Sequence, residues 1–275
     1  MKGKSFLLKR ILGYILGFIL FYEPFILFEK AAGKFITEPG FTSIHVPCPK
    51  IPLQEVFTGK LLDCGPISLF FLGILVVVSL IWGPLFCGKL CPAGALPEFL
   101  SRLVPEKFKL DWSHLVPVVP LRYGFFAGFL FSTYLGMGLP CPYCNYYTFD
   151  ILMQFTTSGQ LISTMPSLLA TFVLWFFILG LFTKGGRGYC LFLCPAGTFC
   201  SLLHFICSYL PGTWRMRVKD DQCVGCGLCV KKCPMRAVSL QDGKARVNLH
   251  QCIICQECEH NCPKQAIRYG HKKER

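Results

Sequence analysis

The sequence predicts an α-helical membrane protein, a four-helix transmembrane bundle of two repeated helical hairpins followed by a small C-terminal α+β domain. Three observations predict it: long apolar windows, a cysteine motif that occurs twice at the end of such windows, and a dense cysteine pattern in the last quarter. Of 275 residues, 53% are hydrophobic and 26 are Phe, and the mean hydropathy is +0.48, well above an ordinary water-soluble domain. Four windows, about 11–28, 66–86, 122–140 and 167–183, have the length and near-absence of charge needed to cross roughly 30 Å of hydrocarbon.

The first window follows Lys2, Lys4, Lys9 and Arg10 and is read as a retained helix, since Ala31-Ala32-Gly33 makes a poor cleavage site. Lys and Arg cluster before the first window, between the second and third, and after the fourth. The positive-inside rule therefore places both chain ends in the cytoplasm, as a multi-pass protein of a prokaryotic inner membrane. Topology and a basic tail account for the formal net charge of +13, so no nucleic-acid partner is expected.

The tail carries the strongest chemical signal. From Cys223 and from Cys252 the chain twice reads C-x2-C-x2-C-x3-C-P. Three thiolates at that spacing wrap three corners of a cubane, and the fourth, before proline, reaches the other cluster. One [4Fe–4S] cluster would take Cys223, Cys226, Cys229 and Cys262, and a second Cys252, Cys255, Cys258 and Cys233. Zinc also accepts four thiolates but does not need this crossed pattern. The segment resembles the bacterial two-cluster ferredoxins. It divides the chain into a four-span domain at 1–210 and a ferredoxin domain at 211–275.

The apolar part is an internal repeat. "LFCGKLCPAG" and "GYCLFLCPAG" stand 103 residues apart, each preceded by a Pro-Cys-Pro-like echo at Cys48 or Cys141. The offset places Cys87, Cys91, Cys190 and Cys194 together at the cytoplasmic boundary, with Pro92 and Pro195 stopping the preceding helices and Gly94 and Gly197 turning the chain. Three roles compete for the four thiols: an additional cluster, redox-active dithiols relaying electrons to the tail, or a structural docking site. Cys48, Cys64, Cys141 and Cys144 form a second group, expected on the opposite face as disulfides or as a metal or redox site. None of the six histidines lies inside a window, His204 included, so no haem is expected. Glu23 reads as a helix-end marker or a quinol proton acceptor.

Apolar windows, paired C-x3-C-P motifs and a doubled cluster motif together resemble the NapH/MauN group of membrane ferredoxin-type proteins, over nearly the whole chain. The resemblance implies electron transfer between the membrane quinone pool and another redox protein or membrane subunit, as the electron-transfer component of a quinol dehydrogenase. It carries Cys87, Cys91, Cys190 and Cys194 over as the family motif. The alternative is a metal-handling or redox-enzyme maturation protein that uses the paired cysteines. The extra group at Cys48, Cys64, Cys141 and Cys144 departs from the family pattern.

Overall fold

The structure, a computed structural model, describes residues 2–22, 25–32, 48, 50–56, 59, 65–132, 135, 141–159, 166–210 and 212–271. Cys64 and Glu23 lie outside the described residues. In chain order the helices are α1 (Lys2–Phe21), α2 (Leu27–Ala32), α3 (Lys50–Glu55), α4 (Pro66–Trp82), α5 (Pro92–Ser101), α6 (Trp112–Leu115), α7 (Val118–Phe131), α8 (Asn145–Ser158), α9 (Pro166–Phe172), α10 (Gly188–Phe192) and α11 (Pro195–Cys207). The tail adds β1 (Arg215–Val218), α12 (Leu228–Lys232), β2 (Val238–Gln241), β3 (Lys244–Val247), α13 (Glu257–His260) and β4 (Ile267–Gly270).

Among the described residues no helix is long and apolar enough to cross a membrane. This corrects the expectation of four spans, and with it the multi-pass placement with both ends in the cytoplasm. The physical reasons differ from window to window. α1 has 20 residues but carries Lys2, Lys4, Lys9 and Arg10. α4 has 17 and stops at Gly83, whose φ of 80° leaves the helical region before Pro84. At 1.5 Å per residue, 17 residues reach only about 26 Å. α7 starts after Pro117 and has 14 residues. α9 has 7 residues and gives way to a wide π-helical stretch of 9, Val173–Leu181. Large apolar side chains nevertheless stay exposed on α1 and α4, among them Leu8, Leu12, Phe70 and Val77.

The two copies of the cysteine motif fold alike. After the π turn Phe86–Leu90, Cys91 is extended (φ −78°, ψ 104°) and Pro92 opens α5. After α10, Cys194 is extended (φ −73°, ψ 109°) and Pro195 opens α11. Proline suits the first helical turn, where its missing N–H costs nothing. Gly94 and Gly197 therefore sit inside helices, and the expectation that they turn the chain is corrected.

α4 packs on α11, α1 on the Phe86–Leu90 turn, and α5 on the π-helical stretch. Trp175, fully buried, donates its indole N–H to the Ala93 carbonyl at 3.0 Å and so locks that last contact. In the tail, β1 pairs antiparallel with β4 (Arg215 opposite Gly270) and β2 with β3 (Val238 opposite Val247). The tail lies against the helical part. Trp214 N–H bonds the Ile81 carbonyl at 2.9 Å, and the Tyr269 hydroxyl bonds the Trp82 carbonyl at 2.7 Å. Gly88, between Cys87 and Cys91, makes the closest approach: a Cβ added there would stand 2.1 Å from the Ile253 carbonyl oxygen, so only glycine fits.

Candidate redox site

The tail repeats itself at an offset of 29 residues, down to its unusual backbone. Gly225, Gly227 and Arg236 have φ of 68°, 73° and 51°, and their counterparts Ile254, Gln256 and Gln265 have 55°, 61° and 51°. These left-handed residues let each loop curl around its cysteines. Ile254 adopts one although β-branched, a strained choice held in place by complete burial.

The first loop, with Cys223, Cys226 and Cys229, lines one cavity with Cys262 from the second motif. Cys252, Cys255, Cys258 and Cys233 lie within electrostatic reach of one another on the other side. Backbone amides point at the sulfurs: Ala237 N–H at Cys233 Sγ (3.3 Å), Ala266 N–H at Cys262 Sγ (3.3 Å) and Ala245 N–H at Cys223 Sγ (3.4 Å). The amides of Ala245 and Gly225 hold the Cys223 thiol below its ordinary pKa. Burial pushes Cys255 up to about 12, so a buried thiolate there needs a compensating cation. Among the described residues no three of His, Cys, Asp or Glu converge as a single-ion site.

Cys87, Cys91, Cys190 and Cys194 line a single cavity at the junction of the two motif copies. Cys200 of α11, Cys48 and Ile253 of the tail's second cysteine loop also line it. Burial, reinforced by Cys87, raises the Cys91 thiol to about 12. Two fully buried guanidiniums face the thiols. Arg187 donates to the Cys87 carbonyl at 2.8 Å and to Glu98 at 2.6 Å. Arg122 donates to Thr198 (3.0 Å), Ser201 (3.2 Å) and the His250 carbonyl (2.7 Å). Among the described residues Arg122 therefore meets no carboxylate, and it lines the four-thiol cavity. A buried cation without a carboxylate partner needs another source of negative charge, and thiolates at Cys87, Cys190 and Cys194, all within electrostatic reach, would supply it.

A chain of charges, buried except for Arg102, leads from this cavity to the tail. Arg10 bonds Glu98 at 2.9 Å, Tyr14 at 2.8 Å and Glu257 of α13, and Arg102 reaches Glu98 and Glu257 at 2.9 Å each. Sequence reasoning missed this network. Its only trace was charge beside apolar windows, at Arg10, Arg122 and Arg187.

The described members of the second cysteine group, Cys48, Cys141 and Cys144, are not on an opposite face. Cys48 lines the four-thiol cavity and also a larger apolar cavity of about 770 Å³ shared with Cys141 and Cys144. The expected separation by a membrane thickness is corrected: short helices and a turn bring these thiols beside the first group. Cys48, Cys141 and Cys144 are free thiols in the structure. His204 is fully buried on α11 with its ring against Gly83, and burial lowers it to about 4.

A 4Fe-4S binding domain model matches residues 64–111 and 167–209, the two motif copies, and a 4Fe-4S dicluster domain model matches residues 222–267. The chain carries 4Fe-4S ferredoxin-type domains. It is similar to "Putative electron transport protein YccM" of Escherichia coli (strain K12), 24% identical over 228 residues, covering 76% of this chain and 58% of that protein. It is also similar to two uncharacterized proteins of Methanocaldococcus jannaschii. MJ0750 is 29% identical over 59% of this chain and 63% of its own length, and MJ0749 is 28% identical over 59% and 56%. The matched part thus spans less than two thirds of each relative. No solved structure matches. The two domain matches and the relative named for electron transport support an iron–sulfur electron-transfer protein.

Proposed function

We propose that the chain conducts electrons between a quinol-type carrier and a protein redox partner through three cysteine-bound sites. Cys223, Cys226, Cys229 and Cys262 would hold one [4Fe–4S] cluster, Cys252, Cys255, Cys258 and Cys233 a second, and Cys87, Cys91, Cys190 and Cys194 a third. The observation that carries this reading is the convergence of both C-x3-C-P pairs on one cavity that also touches Ile253 of the tail. When bound, such clusters supply reversible one-electron transfer.

The chain's own residues do the rest. Arg122 and Arg187 offset the negative charge of the third site, and the amides of Ala237, Ala245 and Ala266 bond the tail sulfurs. The 770 Å³ cavity has the size and apolar lining of a small-molecule site, with Lys50, Tyr146 and Tyr189 as its polar groups beside the third site. A ring-and-tail carrier of the quinol class suits that lining. The paired C-x3-C-P motifs shared with the NapH/MauN group support the same carrier.

The test is the C87S/C190S double variant, prepared anaerobically and iron-replete. The tail clusters should assemble, because their eight cysteines lie elsewhere, while quinol no longer reduces them. Quinol-linked reduction at the wild-type rate in that variant would reject the relay.

A further inference from the structure

Cys141-Pro-Tyr-Cys144 forms a closed turn directly before α8. The Cys144 N–H bonds the Cys141 carbonyl at 2.9 Å, and Cys144 is the residue that caps α8, a helix of 14 residues. A hydrogen-bonded four-residue turn holds its end Cα atoms within about 7 Å. A disulfide spans Cα separations of about 4.4–6.8 Å, so the turn brings its two cysteines into bridging range without moving the helices. Both thiols are free.

Three contacts tie this turn, whose Tyr143 ring is exposed, to the surroundings of the four-thiol cavity. The buried Lys50 ammonium donates to Cys144 Sγ, and Lys50 also lies within electrostatic reach of Cys194. Tyr189, the residue before Cys190, donates its hydroxyl to the Tyr143 carbonyl inside the turn. Tyr22 is fully buried, its hydroxyl has no hydrogen-bond partner among the described residues, and it lies within reach of both Cys91 and Cys144. The Lys50 ammonium and the N-terminus of α8 both stand beside Cys144. Burial, reinforced by Cys144, raises the Cys141 thiol to about 11, which keeps it protonated as the second member of a pair.

We propose that Cys141 and Cys144 form a reversible disulfide, a two-electron site that exchanges electrons with the four-thiol cavity. In the reducing direction the S–S bond breaks, two electrons arrive singly from the iron–sulfur side, and two protons from solvent complete two S–H bonds. In the oxidising direction the same electrons and protons leave. The turn thereby couples one-electron carriers to two-electron chemistry, and its ligand class is the disulfide–dithiol couple. The inference rests on the iron–sulfur reading of the four-thiol cavity, and it needs no quinol.

The experiment is an anaerobic redox titration of the full, iron-replete chain, with trapping by an alkylating reagent and peptide mass spectrometry. Cys141 and Cys144 should lose reactivity together, as a two-electron transition with a tenfold change in ratio over about 30 mV. The oxidised peptide should then carry an internal bridge. Reduction of that bridge by a one-electron viologen donor should proceed in the wild type and fail in C87S/C190S. The proposal is overturned if both cysteines stay reactive at every potential, if Cys144 bridges to Cys48 instead, or if the bridge is reduced equally well in C87S/C190S. Cubane signals in C141S separate the cases: their presence leaves the iron–sulfur reading standing when the disulfide fails, and their absence from wild type removes both.

Discussion

Glu98 and Arg187, each about 1% exposed, pair at 2.6 Å, and the pair joins the first cysteine motif to the second. Glu98 lies on α5, which Cys91 caps, and Arg187 stands before α10 and reaches back to the Cys87 carbonyl. Removing one member leaves a buried charge without its partner, which costs about 3–5 kcal/mol. E98Q should therefore lower the denaturant midpoint of the chain sharply and reduce iron retention at the four-thiol site. An unchanged midpoint would show that Arg10 and Arg187 find other partners.

The same carboxylate makes stability depend on acidity. Burial opposes its ionisation, but Arg187, Arg10 and Arg102 outweigh burial and hold the Glu98 carboxyl below the ordinary carboxylate range. A depressed folded value means the stabilisation is complete above the unfolded carboxylate pKa and is lost as pH falls through the lower folded value. The midpoint gap between wild type and E98Q should be constant near neutrality and shrink below about pH 4. Denaturation series at pH 7, 5 and 3.5 would show it.

G94A should damage the four-thiol site with little effect on the tail. Alanine favours a helix, and Gly94 lies inside α5, so local propensity predicts a small gain. The added Cβ, however, would stand 2.8 Å from Arg187 Nη1 and 3.1 Å from Cys190 Sγ. Iron content per chain and the spectrum of the tail clusters, measured side by side, separate the two effects.

C262S and C233S should give different products. Cys262 shares a cavity with the first loop, whereas Cys233 lies among the thiols of the second. C262S should impair the cluster held by Cys223, Cys226 and Cys229, and C233S the one held by Cys252, Cys255 and Cys258. Ligand-resolved spectroscopy that found each serine beside its own sequence-local triad would reverse the assignment.

The iron–sulfur character was legible in the sequence because the spacing of a cluster motif is local: C-x2-C-x2-C sets three thiols within seven residues. The repeat offset likewise pointed to Cys87, Cys91, Cys190 and Cys194 as neighbours. The span count was not legible. Apolar length was read as helix length, but Gly83-Pro84 and Pro117 end the helices, and at Val173 the winding widens. Nor did spacing show that Cys48 reaches the four-thiol cavity or that Tyr189 holds the turn at Tyr143, since both contacts join distant stretches of chain. The buried arginines were hidden for another reason. Charge at the edge of an apolar window looks like a solvated boundary, and only packing shows that Arg122 and Arg187 point inward.

The bond from Arg10 to Glu257 spans 247 positions of the chain. At about 5–20 residues per second, a ribosome needs roughly 10–50 s to travel that distance. During that interval Arg10 can meet Glu98 of α5 but not Glu257. A newly made chain therefore closes its charged centre in two stages, and truncation upstream of α13 leaves the Arg10–Glu98 half without the carboxylate that ties it to the tail.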